Sequence, residues 1–151
     1  MRIEKIESYL QQDDTLNKVI DELKDDFTQV EYHANNMKDN LTNNPEEAKK
    51  TLNKLTGLYI FLRTALAIAE TEKKNREIAY YEKLRIEAGK ENTKFTSSVA
   101  ERQASNSIRE YRRIRNIIQA YVESCEKAIN SLQSLLRQMQ EEMKLSGGKN
   151  E

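Results

Sequence analysis

The sequence has no tryptophan, one proline, one cysteine, one histidine and four glycines. A single thiol, Cys125, excludes a disulfide within the chain and suits a reducing cytoplasm. Cys125 falls on an apolar stripe and reads as a small hydrophobe. The lone histidine, His33, sits in an acidic segment without a Cys or His companion, so no zinc ligand set is present. No glycine loop suited to cradling phosphate occurs, and no nucleophile–base pair can be assembled. The acidic run DELKDD (21–26) lacks the glycine and regular oxygen spacing of a calcium loop. The chain is therefore expected to be no enzyme and to need neither cofactor nor metal. Long hydrophobic runs are missing too. The most apolar window, LYIFLRTALAIA (58–69), falls short of the roughly 20 residues that cross a bilayer, and Arg63 interrupts it. The opening MRIEKIESYLQQDD lacks the apolar run of a signal peptide. A cytoplasmic protein that does not enter a membrane is expected.

What is present is helix-forming. Ala, Leu, Glu, Lys, Gln and Arg fill the long stretches between the few breakers, and these residues lose little side-chain freedom in a helix. The chain is 37% hydrophobic and 33% charged, against about 45–50% apolar (with Gly counted) and about 25% charged in ordinary domains. Spread over long helices, so little apolar surface makes a narrow seam. The expected fold is all-α: elongated antiparallel helices, a long C-terminal helix, and a core completed by oligomerisation. Ile3, Ile6 and Leu10 predict a short helix over 2–11, interrupted by QQDDT (11–15). Leu16, Val19, Ile20, Leu23, Phe27, Val30, Ala34 and Met37 predict a second from Leu16 to about Leu41. In TNNPEE (42–47), Asn44 is placed to cap, Pro45 to open and Glu47 to complete a capping box. A third helix from Pro45 to about Ala88 follows, apolar nearly all round over 58–69 and so expected to be enclosed. Residues 89–97 (GKENTKFTS) predict a loop, with Gly89 ending the helix. Ser98 and Glu101 predict a capping box opening a last helix to about Leu145. The expected organisation is an acidic helical region over 1–44, a helical core over 45–145 and a frayed tail over 146–151.

The last helix carries an apolar stripe made of Ile118, Tyr121, Cys125, Ile129, Leu132, Leu135, Leu136 and Met139. Three apolar positions per seven suit a bundle, and this stripe is expected to form the interface of a homo-oligomer.

Charge is unevenly placed. Residues 1–47 hold five basic and twelve acidic side chains; residues 48–151 hold twenty basic and thirteen acidic. In IREYRRIRNII (108–118), continuing the apolar register buries Tyr111 and Ile114. Arg102, Arg109, Arg112 and Arg113 then share the opposite face, with Glu110 the one acid between Arg102 and Arg115. Like charges four residues apart on a helix are destabilising, a situation that a bound anion relieves. The planar guanidinium fork suits phosphate better than an ammonium does. The bland reading is a solvated face whose arginines pair with nearby carboxylates or with the acidic first third. Lys83, Arg85, Lys90 and Lys94 add positive charge around the loop, diluted by Glu82, Glu87 and Glu91. Tyr80 and Tyr81, about 100° apart on their helix, leave one ring open to stack on a base. These features predict sequence-tolerant binding of a nucleic-acid backbone. The competing reading is a helical structural or adaptor protein whose arginines grip another protein.

The opening MRIEKIESYL, the tyrosine pair after a lysine-rich middle helix (TEKKNREIAYY, 71–81), the polar loop and the final YVESCEKAINSLQSLL (121–136) resemble the UvsY-type recombination mediators of tailed phages. The resemblance lies in the order of these segments over most of the chain. It implies a non-enzymatic oligomer in a bacterial host cell that binds single-stranded DNA and helps a recombinase displace single-strand-binding protein. By the same resemblance Lys73, Lys74, Arg76, Lys83 and Arg85 would carry DNA, and the C-terminal helix would assemble the oligomer. Two departures stand out: the densest arginine cluster lies in the last helix, and the N-terminal part is longer and acidic.

Overall fold

The computed structural model describes residues 1–39 and 44–148, with residues 38, 39 and 148 described by their backbone alone. Five α-helices and one 3-10 turn account for the regular structure of these residues, and no strand occurs among them. The helices are α1 (Arg2–Leu10), α2 (Leu16–Asp39), α3 (Pro45–Lys90), α4 (Ser97–Ser107) and α5 (Arg109–Gly148). No helix is long and apolar enough to cross a membrane among the described residues.

Local chemistry accounts for most of the boundaries. The turn Asp13–Thr15 separates α1 from α2, and the Thr15 hydroxyl secures it by donating to the Tyr9 carbonyl at 2.7 Å. Asn44 caps α3 as expected: its Oδ1 accepts from the Glu47 amide at 3.2 Å, and Pro45 takes the first helical position. The other end of α3 differs from expectation. Gly89 stays helical, and the chain leaves through Asn92, whose φ of 53° is left-handed. The Thr93 amide then donates to the Ala88 carbonyl at 3.0 Å, the six-to-one bond of a Schellman cap. Asparagine tolerates this conformation because its short amide hydrogen-bonds locally. Residues 40–43, where the end of the second helix and part of the TNNPEE joint were expected, lie outside the described residues, as do 149–151 of the expected tail. Helix α5 continues past Leu145 to Gly148.

The single last helix expected from Ser98 is in fact two. Thr96 occupies the N-cap position of α4 without a side-chain cap bond, so the predicted Ser98–Glu101 box does not start it. The helix breaks at Ile108 (φ −99°, ψ 16°). Ser105, Asn106 and Ser107 precede that point, and the Ser107 hydroxyl bonds back to the Ala104 carbonyl at 2.7 Å. Such side chains compete with the helical ladder and loosen it. The apolar stripe nevertheless runs through the break: Ala100, Ala104, Ile108, Tyr111, Ile114 and Ile118 are all buried.

The residues form two compact units, Met1–Glu22 with Thr64–Gln119, and Leu23–Arg63 with Ala120–Glu151. The short stripe of α1 and the first turns of α2 cannot bury itself alone, so Ile6, Leu10, Leu16 and Val19 join Ala65, Leu66, Ala69 and the α4–α5 stripe in the core of the first unit. Within it, contacts link Glu70 to Arg115 and Arg76 to Tyr111, and Leu84 and Ala88 share a cavity wall with Val99, Ala100 and Gln103. Rising numbers on one side meet falling numbers on the other, so α3 runs antiparallel to α4 and α5 there.

In the second unit Leu23, Phe27 and Val30 of α2, Leu55, Leu58 and Leu62 of α3, and Val122, Cys125, Leu132 and Met139 of α5 are buried. The Tyr121 ring stacks on Phe27 with centroids 4.0 Å apart, and its hydroxyl donates to Glu31 at 2.6 Å. That bond, together with burial, raises the phenol pKa. His33 is buried, and burial with the neighbouring Lys54 charge lowers its pKa. The expectation that 58–69 is enclosed on all sides holds only in part. Leu58, Leu62, Ala65, Leu66 and Ala69 are buried, but Ile60 is 61% exposed.

Candidate nucleic-acid interface

All the predicted cationic residues fall in the first unit. Arg102 on α4 and Arg109, Arg112 and Arg113 on α5 are exposed, on the side of these helices opposite the buried stripe. The break at Ile108 removes the strict seven-residue relation between Arg102 and Arg109, but both remain on the solvent side.

Their partners decide how much charge is left over. Arg102 and Arg109 make no ion pair or hydrogen bond among the described residues. Arg112 donates to the Ser105 Oγ at 2.7 Å and carbonyl at 3.3 Å, both neutral acceptors that leave its charge uncompensated. Arg113 departs from expectation: Glu110, three residues earlier, accepts from its Nε at 3.0 Å. Both members are about half exposed, so the pair contributes little stability. Arg115, on the flank, is held by Glu70 of α3 through two bonds of 3.2 and 3.0 Å. Among the described residues no carboxylate of the acidic first third pairs with Arg102, Arg109, Arg112 or Arg113. Glu22 is engaged by Arg2 and Lys5 instead. Burial alone would raise the Glu22 carboxyl, but the Arg2 hydrogen bond and the Lys5 charge outweigh it and hold it below the ordinary range.

The cations of α3 and of the loop after it behave differently from one another. Lys74, Lys83, Lys90 and Lys94 are exposed, and Lys73 is half-buried. Arg85 pairs with Glu82 at 3.6 Å on its own helix. Arg76 is built into the fold. It donates to the Gln11 carbonyl, lies 3.9 Å from the Asp13 carboxylate, and its guanidinium sits 5.7 Å from the centre of the Tyr111 ring. Tyr111 is 4% exposed, and its hydroxyl donates to Asp13 at 2.7 Å. Burial, and then that bond, push the phenol pKa upward. Sequence reasoning placed Tyr111 on the buried stripe but missed this cluster. The available signal was a buried hydroxyl in need of an acceptor.

The two adjacent tyrosines are now distinguished. Tyr81 meets Phe95 edge to face, with centroids 5.7 Å apart. Tyr80 lines an open cleft of about 360 Å³ with Asp13, Arg76, Ala79, Lys83, Ser107, Ile108 and Tyr111. Residues 76, 79, 80 and 83 share one face of α3, and the break between α4 and α5 supplies the other wall.

The predicted oligomer stripe lies mostly in the second unit, with Ile118 in the first. Ile118, Cys125, Leu132 and Met139 are buried within the chain itself, and Tyr121 is occupied by Phe27 and Glu31. Ile129, Leu135 and Leu136 are half-buried. The most regular part of the stripe is thus an intrachain seam, and burial raises the Cys125 thiol to about 11. Among the described residues no group of three or more His, Cys, Asp or Glu side chains is placed to hold a metal ion. No protein-family model, curated protein or solved structure matches the chain.

Proposed function

We propose that this protein binds single-stranded DNA without catalysing a reaction, and that it acts as a recombination mediator, assisting a recombinase to load on strands covered by single-strand-binding protein. One observation carries the binding: Arg102, Arg109 and Arg112 project from one unit with no carboxylate of the described residues on any of them. Arg109 and Arg112, three residues apart on α5, are like charges on one helix face, and a phosphate backbone relieves their repulsion while using the donor forks of all three arginines. Exposed Lys74, Lys83, Lys90 and Lys94 in the same unit extend the cationic surface, which suits tracking of a backbone more than reading of base sequence. The mediator role and the setting, the cytoplasm of a bacterial host, rest on the order of segments shared with UvsY-type proteins.

Assembly into a homo-oligomer belongs to the same proposal, but through other side chains than the buried seam. Half-buried Ile129, Leu135 and Leu136 and exposed Met143 and Leu145 on α5 supply apolar surface for it. A second reading, an adaptor gripping an acidic protein, draws on Ile78 and Ile86. Both are more than half exposed on the helix that carries the lysines. A gel-shift experiment with labelled single- and double-stranded oligonucleotides separates the two. Retardation of the single strand at low micromolar protein is expected, and no retardation of either oligonucleotide at low salt removes the DNA reading.

A further inference from the structure

The cleft beside Tyr80 has chemically specific walls. At about 360 Å³ it falls within the roughly 300–1,000 Å³ typical of small-ligand clefts. One wall is the α3 face carrying Arg76, Ala79, Tyr80 and Lys83; the other is Ser107, Ile108 and Tyr111 at the helix break. Arg76, Tyr111 and Asp13 contact one another at 3.9 Å, 5.7 Å and 2.7 Å, so the polar groups at that end of the cleft already have partners. Tyr80 has no such partner: its ring and hydroxyl make no hydrogen bond or ring contact among the described residues. Lys83, one turn further along, is exposed and likewise without an ion pair.

We propose that this cleft receives one unstacked nucleobase of a bound single strand, stacked on the Tyr80 ring, with the neighbouring phosphate on Lys83. The inference rests on the single-strand-binding reading above and adds to it the place where a base, and not only the backbone, is held. The polarity follows from charge. The Asp13 carboxylate, 78% exposed, already matches the Arg76 guanidinium 3.9 Å away, so the end near Tyr111 has no free positive charge for phosphate, whereas the carboxylate retains acceptor capacity for an N–H group on a base edge. Phosphate is therefore directed to the Lys83 end. With one free lysine and no glycine cradle, the cleft offers nothing for a triphosphate, so a base within a strand suits it better than a free nucleotide. Stacking is tolerant of base identity, in keeping with backbone-tracking binding.

The test uses the full chain and a single-stranded oligonucleotide containing 5-iododeoxyuridine, which cross-links under ultraviolet light to an aromatic ring stacked on it. Mass spectrometry is expected to map the cross-link to Tyr80. Tyr80→Leu should abolish that cross-link and weaken strand binding roughly tenfold, and Tyr80→Phe should preserve affinity. Lys83→Gln, at an exposed position that leaves folding intact, should weaken binding while the cross-link persists. A wild-type complex that forms but cross-links elsewhere, or affinity unaltered in Tyr80→Leu, overturns the cleft proposal and leaves strand binding standing. Labelling of Tyr80 by free 5-iododeoxyuridine monophosphate at equal concentration overturns the assignment to a strand. No complex with any oligonucleotide defeats the underlying reading instead.

Discussion

Neutralising the unpaired arginines, and separately the paired one, gives a prediction that depends on the observed partners and not on net charge. Each phosphate neutralised on a single strand contributes a salt slope of about 0.7, worth about 1 kcal/mol at roughly 0.1 M salt. Among the described residues Arg102, Arg109 and Arg112 carry no carboxylate partner, so replacing all three by Gln should weaken binding by about 3 kcal/mol, roughly a hundredfold in Kd. Arg113 is already compensated by Glu110 at 3.0 Å. Replacing both partners together, Glu110→Gln with Arg113→Gln, leaves the local charge unchanged and should alter affinity by less than about 1 kcal/mol. All five side chains are exposed, so helicity by circular dichroism and the unfolding midpoint should move little. Fluorescence anisotropy with a labelled single strand reads the affinities. A triple variant binding within twofold of wild type at unchanged helicity would refute the assignment of phosphate to this face.

Other consequences are independent of DNA. Cys125, buried with its thiol raised to about 11, should react with a thiol reagent at pH 8 at least about a hundredfold more slowly in the native protein than in urea. The pKa of His33 is depressed in the folded protein by burial and by Lys54, so on acidification the unfolded chain takes up the proton first. Stability is therefore expected to fall as pH drops below about 6.5 and through the depressed value. In His33→Gln the urea midpoint should depend less on pH between 7.5 and 5, and an equal dependence in both proteins would contradict the argument. Leu132→Ala should destabilise the chain by about 2–5 kcal/mol, because Leu132 is fully buried within one copy. An unchanged thermal midpoint would contradict that.

The helices themselves were legible because spacings of three and four residues carry across Leu16–Val30 and Leu55–Ala69 with few breakers. The Asn44–Pro45–Glu47 start of α3 was legible as well, since capping is set within four residues. The α4–α5 break was not anticipated. The apolar stripe runs unbroken from Ala100 to Ile118 and masks the local competition from Ser105, Asn106 and Ser107. The choice of Asn92 over Gly89 for the left-handed position escaped for a similar reason: a glycine inside a helix incurs only a modest penalty. At the site, the solvent-facing side of Arg102, Arg109, Arg112 and Arg113 followed from the helical period. Their partners did not. Whether a guanidinium meets a carboxylate depends on rotamers and on other helices, as with Arg115 and Glu70, or Arg76 and Asp13. The seam through Cys125 and Leu132 shows the same limit: periodicity reveals that a stripe is buried, not whether its cover comes from the same chain or another copy.

The most direct test is the salt dependence of wild-type binding to a labelled single strand between about 50 and 200 mM, measured at equilibrium. With at least the three unpaired arginines contacting phosphate, log Kd should rise linearly with log salt at a slope of about 2 or more. A slope near zero, or no binding even at about 50 mM, would mean that these cations serve something other than a phosphate backbone.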